Sequence, residues 1–192
     1  MPPPENEITE EIDLLARIAA GDNAAFRRLY TRYSPALFPL AIRLLGDNGA
    51  AEEALQDTFV KIWRHAPLYD ARLSRPFTWA VTILRRTCID HLRKNRHASR
   101  TTPLPDDDTA PAELSTGENI RRTAEVRETT GRLRTALAAL APPQRDALEL
   151  ALFSTLTHPE IAARLAQPIG TIKTWIRRGL LDLRATLNDP TP

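Results

Sequence analysis

Apolar residues in this chain recur every three or four positions, and sustained alternation of Val, Ile and Thr is missing. That periodicity admits amphipathic helices and leaves almost no room for sheet. Three segments carry it most clearly. Leu55, Phe59, Ile62 and Trp63 share one side of residues 50–65, and Phe77, Val81, Leu84, Cys88 and Leu92 share one side of 77–95. Ile172, Ile176, Leu180, Leu183 and Leu187 do the same over 168–187. Shorter helices are expected at 8–20, 143–154 and 158–166, and a charged helix from Ile120 to Leu140. Asp22 is placed to cap a helix bearing Phe26, Leu29, Tyr30 and Tyr33. Ser34-Pro35 reads as a fresh cap, with Pro39 imposing a kink before the helix resumes through Leu45.

The 16 prolines gather at the N-terminus, around 103–111 and at segment starts, where they punctuate helices. Residues 97–117 lose periodicity and turn rich in Thr, Pro, Asp and Ser, which is linker composition. An all-α chain of two small domains, at 8–96 and 121–187, is therefore expected. A flexible acidic linker at 97–120 joins them, between a disordered 1–7 and a frayed tail at 188–192.

Charge sharpens this division. Arg85, Arg86, Arg93, Lys94, Arg96 and Arg100 stand against Asp90 alone, whereas Asp106, Asp107, Asp108, Glu113 and Glu118 fall in the linker. Basic clusters on helices with acidic stretches elsewhere fit either a nucleic-acid footprint or a solvated helix face. The lone Cys88 excludes an internal disulfide and a Cys-based zinc site, and suits a reducing compartment. The N-terminus has no basic region followed by an apolar run, and no apolar stretch is long enough to span a bilayer. A soluble, cytoplasmic protein is expected. His65, His91, His97 and His158 share no metal-ligand spacing, and no Gly-rich phosphate loop or Ser-His-Asp group is present. Neither an enzyme nor a cofactor is expected, and Cys88 on the apolar stripe reads as a packed thiol.

The strongest local signal lies at 157–187. Thr157 and Glu160 have capping-box spacing, with Pro159 where no intrahelical donor is needed. Ile161, Ala162 and Leu165 give a short helix its buried face, and after a turn Pro168 suits the first position of the next. That helix presents Thr171, Lys173, Thr174, Arg177 and Arg178 opposite its apolar stripe. A tight helix-turn-helix with a basic outer face fits a recognition helix in a major groove, reading phosphates and guanine edges.

Residues 51–94 run from Ala51-Glu-Glu-Ala-Leu-Gln-Asp-Thr-Phe-Val-Lys-Ile-Trp63 through Phe77-Thr-Trp-Ala-Val-Thr-Ile-Leu-Arg-Arg86 to Lys94. This stretch closely resembles conserved region 2 of the extracytoplasmic-function (ECF, group IV) sigma factors of the sigma-70 family. The stretch from Leu140 through Arg184 resembles their region 4. The resemblance implies a region 2 helical bundle and a region 4 helix-turn-helix. Together these would direct promoter-specific transcription initiation by binding core RNA polymerase, at its clamp helices and flap, and reading −10 and −35 elements. Glu53, Gln56, Asp57, Phe59, Val60 and Trp63 match the polymerase-docking segment, although Phe59 and Trp63 read more readily as core than as interface.

In the loop 66–76, Tyr69 and Arg72 match the segment that captures a flipped base of the −10 element, where stacking and phosphate contact are needed. Trp79, Arg85, Arg86, Arg93 and Lys94 match the −10-reading helix, with Trp79 open to either burial or DNA contact. Thr171, Lys173, Thr174, Arg177 and Arg178 match the −35-reading helix. Arg86 stands where relatives usually carry Asn, and Trp175 where many carry Arg, so the chain departs from the family at two positions where bases are read. Trp175 is open to packing or DNA contact. An anti-sigma factor is the implied partner, and no small-molecule substrate or membrane insertion is expected. A stand-alone helix-turn-helix regulator is the competing reading.

Overall fold

The computed structural model describes residues 5–101, 116–154 and 156–188, with side chains for 6–94, 124, 126–154 and 156–188. The acidic stretch with Asp106, Asp107, Asp108 and Glu113 lies outside the described residues. Among them the chain is all-α: α1 (Glu5–Ala19), α2 (Asn23–Leu45), α3 (Asn48–His65), α4 (Pro76–Thr101), α5 (Thr116–Ala138), α6 (Pro142–Phe153), α7 (His158–Arg164) and α8 (Ile169–Asn188), with a single 3₁₀ turn at Ala66–Leu68. No described helix is long and apolar enough to cross a membrane.

Local chemistry sets the helix ends. The Asp22 carboxylate accepts from the Ala24 and Ala25 amides at 2.8 and 3.0 Å, and Arg17 holds the same carboxylate at 2.6 Å. Gly46 closes α2 in the left-handed region (φ 74°), its amide donating to the Ile42 carbonyl. Asp47 then caps α3 through the Ala50 amide at 2.8 Å. Pro76 opens α4 at the first helical position.

The expected break at Ser34-Pro35 does not occur. α2 runs unbroken past Pro35 and Pro39, and the Ser34 hydroxyl turns back to the Tyr30 carbonyl at 2.6 Å instead of capping. Burial of Ala36, Leu37, Leu40, Ala41 and Ile42 along the same stretch sustains the helix across two missing donors. α4 also continues to Thr101, into the stretch expected to be linker.

α1 to α4 pack around one core in which Leu29, Tyr33, Leu37, Ile62, Phe77 and Leu84 are essentially inaccessible. Phe26, Tyr30, Phe59 and Trp63 add a run of edge-to-face and tilted ring contacts with centroids 4.6–6.0 Å apart. α5 to α8 pack around the aliphatic side chains of Leu133, Leu148, Ile161, Ile172, Leu180 and Leu183, which are continuous with the first core in one buried cluster. Gly179 lets α8 approach α6 closely: a Cβ there would sit 3.2 Å from Leu148 Cδ2. The two groups also touch, α2 and α4 against α8 and α2 against α5.

Leu92 falls off the expected stripe and is 36% exposed, whereas His91 turns inward. Asp57 on α3 provides the reason, because its carboxylate lies 3.0 Å from His91 Nε2.

Candidate nucleic-acid interface

The helix-turn-helix at the C-terminus forms as the capping pattern requires. Thr157 and Glu160 make the reciprocal box, the Glu160 carboxylate accepting from the Thr157 amide at 2.6 Å and its hydroxyl at 2.7 Å. These bonds hold the Glu160 carboxyl below its ordinary value. The turn then passes through Ala166 at φ 51°, a conformation that L-residues other than Asn and Asp seldom adopt. Pro168 stands just before α8 rather than inside it, its carbonyl accepting from the Thr171 and Ile172 amides at 2.9 and 3.1 Å.

On α8, Lys173, Arg177 and Arg178 are exposed and Thr171 and Thr174 half-buried, with the Thr174 hydroxyl donating to the Gly170 carbonyl at 2.9 Å. Trp175 is half-buried against the core, so it packs. The outer face thus offers three cations on a rigid helix, the arrangement that phosphate and guanine contacts need.

On α4, Arg86, Arg93 and Lys94 are exposed. Arg85 is engaged: its guanidinium donates to the Ser154 carbonyl at 2.5 Å and the Leu152 carbonyl at 3.3 Å, both at the C-terminal end of α6. Trp79 is half-buried, its ring centroid 5.2 Å from that of Tyr69. Tyr69 is itself half-buried and its hydroxyl donates to the Ser74 carbonyl at 2.7 Å, so the ring pins the loop 66–76 against α4. Burial first, then the charges of Glu11 and Asp70, push the Tyr69 hydroxyl up to about 12. Arg72 is fully out in solvent on a fork to Asp70, and Leu68 and Leu73 beside it are 78% and 84% exposed.

The acidic face of α3 adjoins α4, and Asp57 and Lys61 line one pocket with Arg93 and Lys94. Glu53 and Gln56 are exposed and Val60 is 45% exposed, whereas Phe59, at 2%, lies beneath this face in contact with Phe26 and Tyr30. Trp63 is half-buried on Phe26. Two residues that sequence reasoning did not single out fasten this face to α4. His91 meets Asp57, and Lys61 donates to the Thr87 hydroxyl at 2.9 Å while lying 3.7 Å from Asp90. A His and a Lys facing acids across two helix stripes were the available signal.

A third overlooked residue is Arg184. It lies on the buried side of α8 between Leu180 and Leu187, 2.5 Å from the Glu11 carboxylate on α1. A charge on an apolar stripe was its signature in the sequence. Cys88 is fully buried and its thiol is pushed up to about 12, chiefly by burial, which leaves it unreactive. Among the described residues no group of three His, Cys, Asp or Glu side chains could hold a metal ion.

Comparison with known proteins places both halves. A family model for Sigma-70 region 2 matches residues 29–98 and one for Sigma-70 region 4 matches 130–183. The chain is 31% identical over 183 residues to the ECF RNA polymerase sigma factor SigK of Mycobacterium ulcerans, covering 91% of this chain and 92% of that one. It is 30% identical over 190 residues to SigK of Mycobacterium tuberculosis (strain ATCC 25177 / H37Ra), covering 94% and 96%. Among solved structures, Rhodobacter sphaeroides SigE in complex with the anti-sigma ChrR is 33% identical, with a TM-score of 0.50 over 90% of this chain and 98% of that one.

Proposed function

The chain belongs to the extracytoplasmic-function sigma factors of the sigma-70 family, and on that premise we propose a division of labour among its surfaces. It is an RNA polymerase sigma factor that directs promoter-specific initiation. Residues 8–96 dock on core polymerase and read the −10 element, and residues 121–187 read the −35 element, with the chain between α4 and α5 joining them. The exposed Glu53, Gln56 and Val60, with Asp57 oriented by His91, form a docking face whose charge suits a basic helical partner. Phe59 and Trp63 support that face from below.

The −10 element is read by Arg72, Arg85, Arg86, Arg93 and Lys94, with Tyr69 and Trp79 shaping the loop that receives an unstacked base. The −35 element is read by Thr171, Lys173, Thr174, Arg177 and Arg178. The protein works by binding, with no chemical step and no cofactor of its own, in the cytoplasm where polymerase resides. Control by an anti-sigma factor follows from the relative in complex with ChrR.

The observation that carries this reading is the pairing of an exposed acidic docking face on α3 with cationic faces on α4 and α8. Transcription in vitro with core polymerase tests it. The chain is expected to confer promoter-dependent initiation, and Glu53→Arg to lower apparent core affinity about tenfold. Tight promoter binding by the chain alone, with no transcript on any template when core is added, would instead identify a stand-alone regulator.

A further inference from the structure

We propose that the polymerase-docking surface extends from α3 onto α2, with Tyr30 as its aromatic anchor. Phe59 falls within the segment assigned to docking, yet it is 2% exposed and lies out of a partner's reach. The ring that covers it belongs to Tyr30, whose centroid is 4.6 Å from that of Phe59 at a 47° tilt. The aromatic contact expected of α3 is therefore offered one layer further out, by its neighbour α2.

Helical spacing puts Tyr30 there. Leu29 and Tyr33 on α2 are buried in the core, and Tyr30, one step round the helix from Leu29, falls at the edge of that stripe. Among the described residues it is the one aromatic side chain that stands in solvent, at 41% exposed. It is not isolated. Val60, next after Phe59, is 45% exposed, so two apolar side chains reach solvent around one buried ring. Gln56 and Glu53 lie one and two turns back from Val60 along the same exposed stripe of α3. An apolar centre rimmed by polar and acidic groups has the anatomy of an interface.

The bed under Tyr30 is fixed. Phe26 meets Phe59 and Trp63 edge to face at 6.0 and 5.3 Å, which holds the ring beneath Tyr30 in place. A tyrosine on such a base presents a large contact area while only its own two torsions need to be ordered. The occupant that fits is a helix of core polymerase, with an apolar stripe for Tyr30 and Val60 and basic side chains for Glu53 and Asp57. Continuity with the docking face on α3 favours that partner over a second copy of this chain. A two-fold contact between copies would set the same acids against each other.

This anchor rests on the sigma-factor reading for its partner, and titrating the full-length chain with core polymerase separates the two. Tyr30→Ala is expected to lower core affinity about tenfold, and Tyr30→Phe to keep it within about twofold, because the ring makes the contact. Tyr30→Ala also uncovers Phe59, so a second variant guards against a loss of fold. Tyr30→Arg covers Phe59 with its methylene stem while setting a cation against the basic partner. It should unfold thermally like the parent and still bind core about tenfold more weakly, with added salt recovering part of the loss.

A parent that binds core, with Tyr30→Ala and Tyr30→Arg both within about twofold of it, overturns the anchor and leaves the sigma-factor reading standing. A parent that fails to bind core overturns that reading and the anchor with it. Sedimentation of the free chain supplies the remaining outcome. A parent dimer that Tyr30→Ala makes monomeric, with core affinity unchanged, would assign the patch to a second copy and overturn the polymerase partner.

Discussion

The two halves of the molecule hold together by different means. The first is bound by rings: Phe26, Tyr30, Tyr33, Phe59, Trp63, Tyr69, Phe77 and Trp79 all meet another ring within α1 to α4 or the loop before α4. The second has an aliphatic core, a seven-residue helix α7, and only Phe153 and Trp175 as aromatics. Its long helix α8 also leans on the first half through Arg184, and Asn188 donates to the Arg32 carbonyl at 3.2 Å. The first half thus rests on a network of rings, whereas the second rests on a smaller set of aliphatic side chains. Small cores bury a smaller fraction of their surface and gain less from folding.

The largest effect that could break this contrast is a truncation in each core. Phe59→Ala removes a ring that touches both Phe26 and Tyr30 and should destabilise by about 3–5 kcal/mol. Leu148→Ala, fully buried between α6 and α8, should destabilise by about 2–5 kcal/mol. Trp63 and Trp79 report on the first half and Trp175 on the second, so thermal unfolding followed by fluorescence, with and without Trp175→Phe, separates them. Leu148→Ala should shift the Trp175 transition and leave the first half in place. A joint shift of all three tryptophans would mean that the halves fold as one unit.

A smaller change should strengthen the light half. Ala166 holds a left-handed backbone in the turn of the helix-turn-helix, and glycine takes that conformation without the Cβ clash. Ala166→Gly should stabilise the second half by about 0.5–1 kcal/mol, seen as a rise in the Trp175 transition. A loss of stability there would show that the methyl contributes more than the backbone strain removes.

The smallest effect concerns how the halves meet. Burial first, then Lys173 and Arg85, hold the His158 imidazole below its ordinary value of 6.5, and Arg72 and Arg177 line a cleft with it. In the folded chain the ring therefore stays neutral where a solvated histidine would take up a proton. As pH falls through about 6.5 and below, the unfolded chain gains that proton first and the fold loses stability. Thermal stability should fall on acidification in the parent chain, and His158→Gln should flatten that dependence. An equal response with and without the imidazole would show that His158 does not couple the fold to pH.

Much of this was legible before any coordinates. Helix positions followed from apolar spacing, and the Asp22 and Thr157/Glu160 caps from side chains that can reach only local amides. The cationic face of α8 followed from what its apolar stripe left outside. These are short-range matters, fixed by neighbours three or four residues away. Where packing outbid local preference, the sequence misled: α2 runs through two prolines because Ala36, Leu37, Leu40, Ala41 and Ile42 around them are buried, and His91 turns inward in place of Leu92 because Asp57 waits on another helix.

Sequence alone determined the family, the all-helical class and which helices bear exposed cations, since each depends on residue type at local spacing. Only the tertiary structure decided that Phe59 lies beneath its face, that Tyr69 pins a loop to Trp79, and that Arg85 and Arg184 bridge the halves. Those outcomes turn on partners 5 to 173 positions away in the chain, which no local pattern encodes.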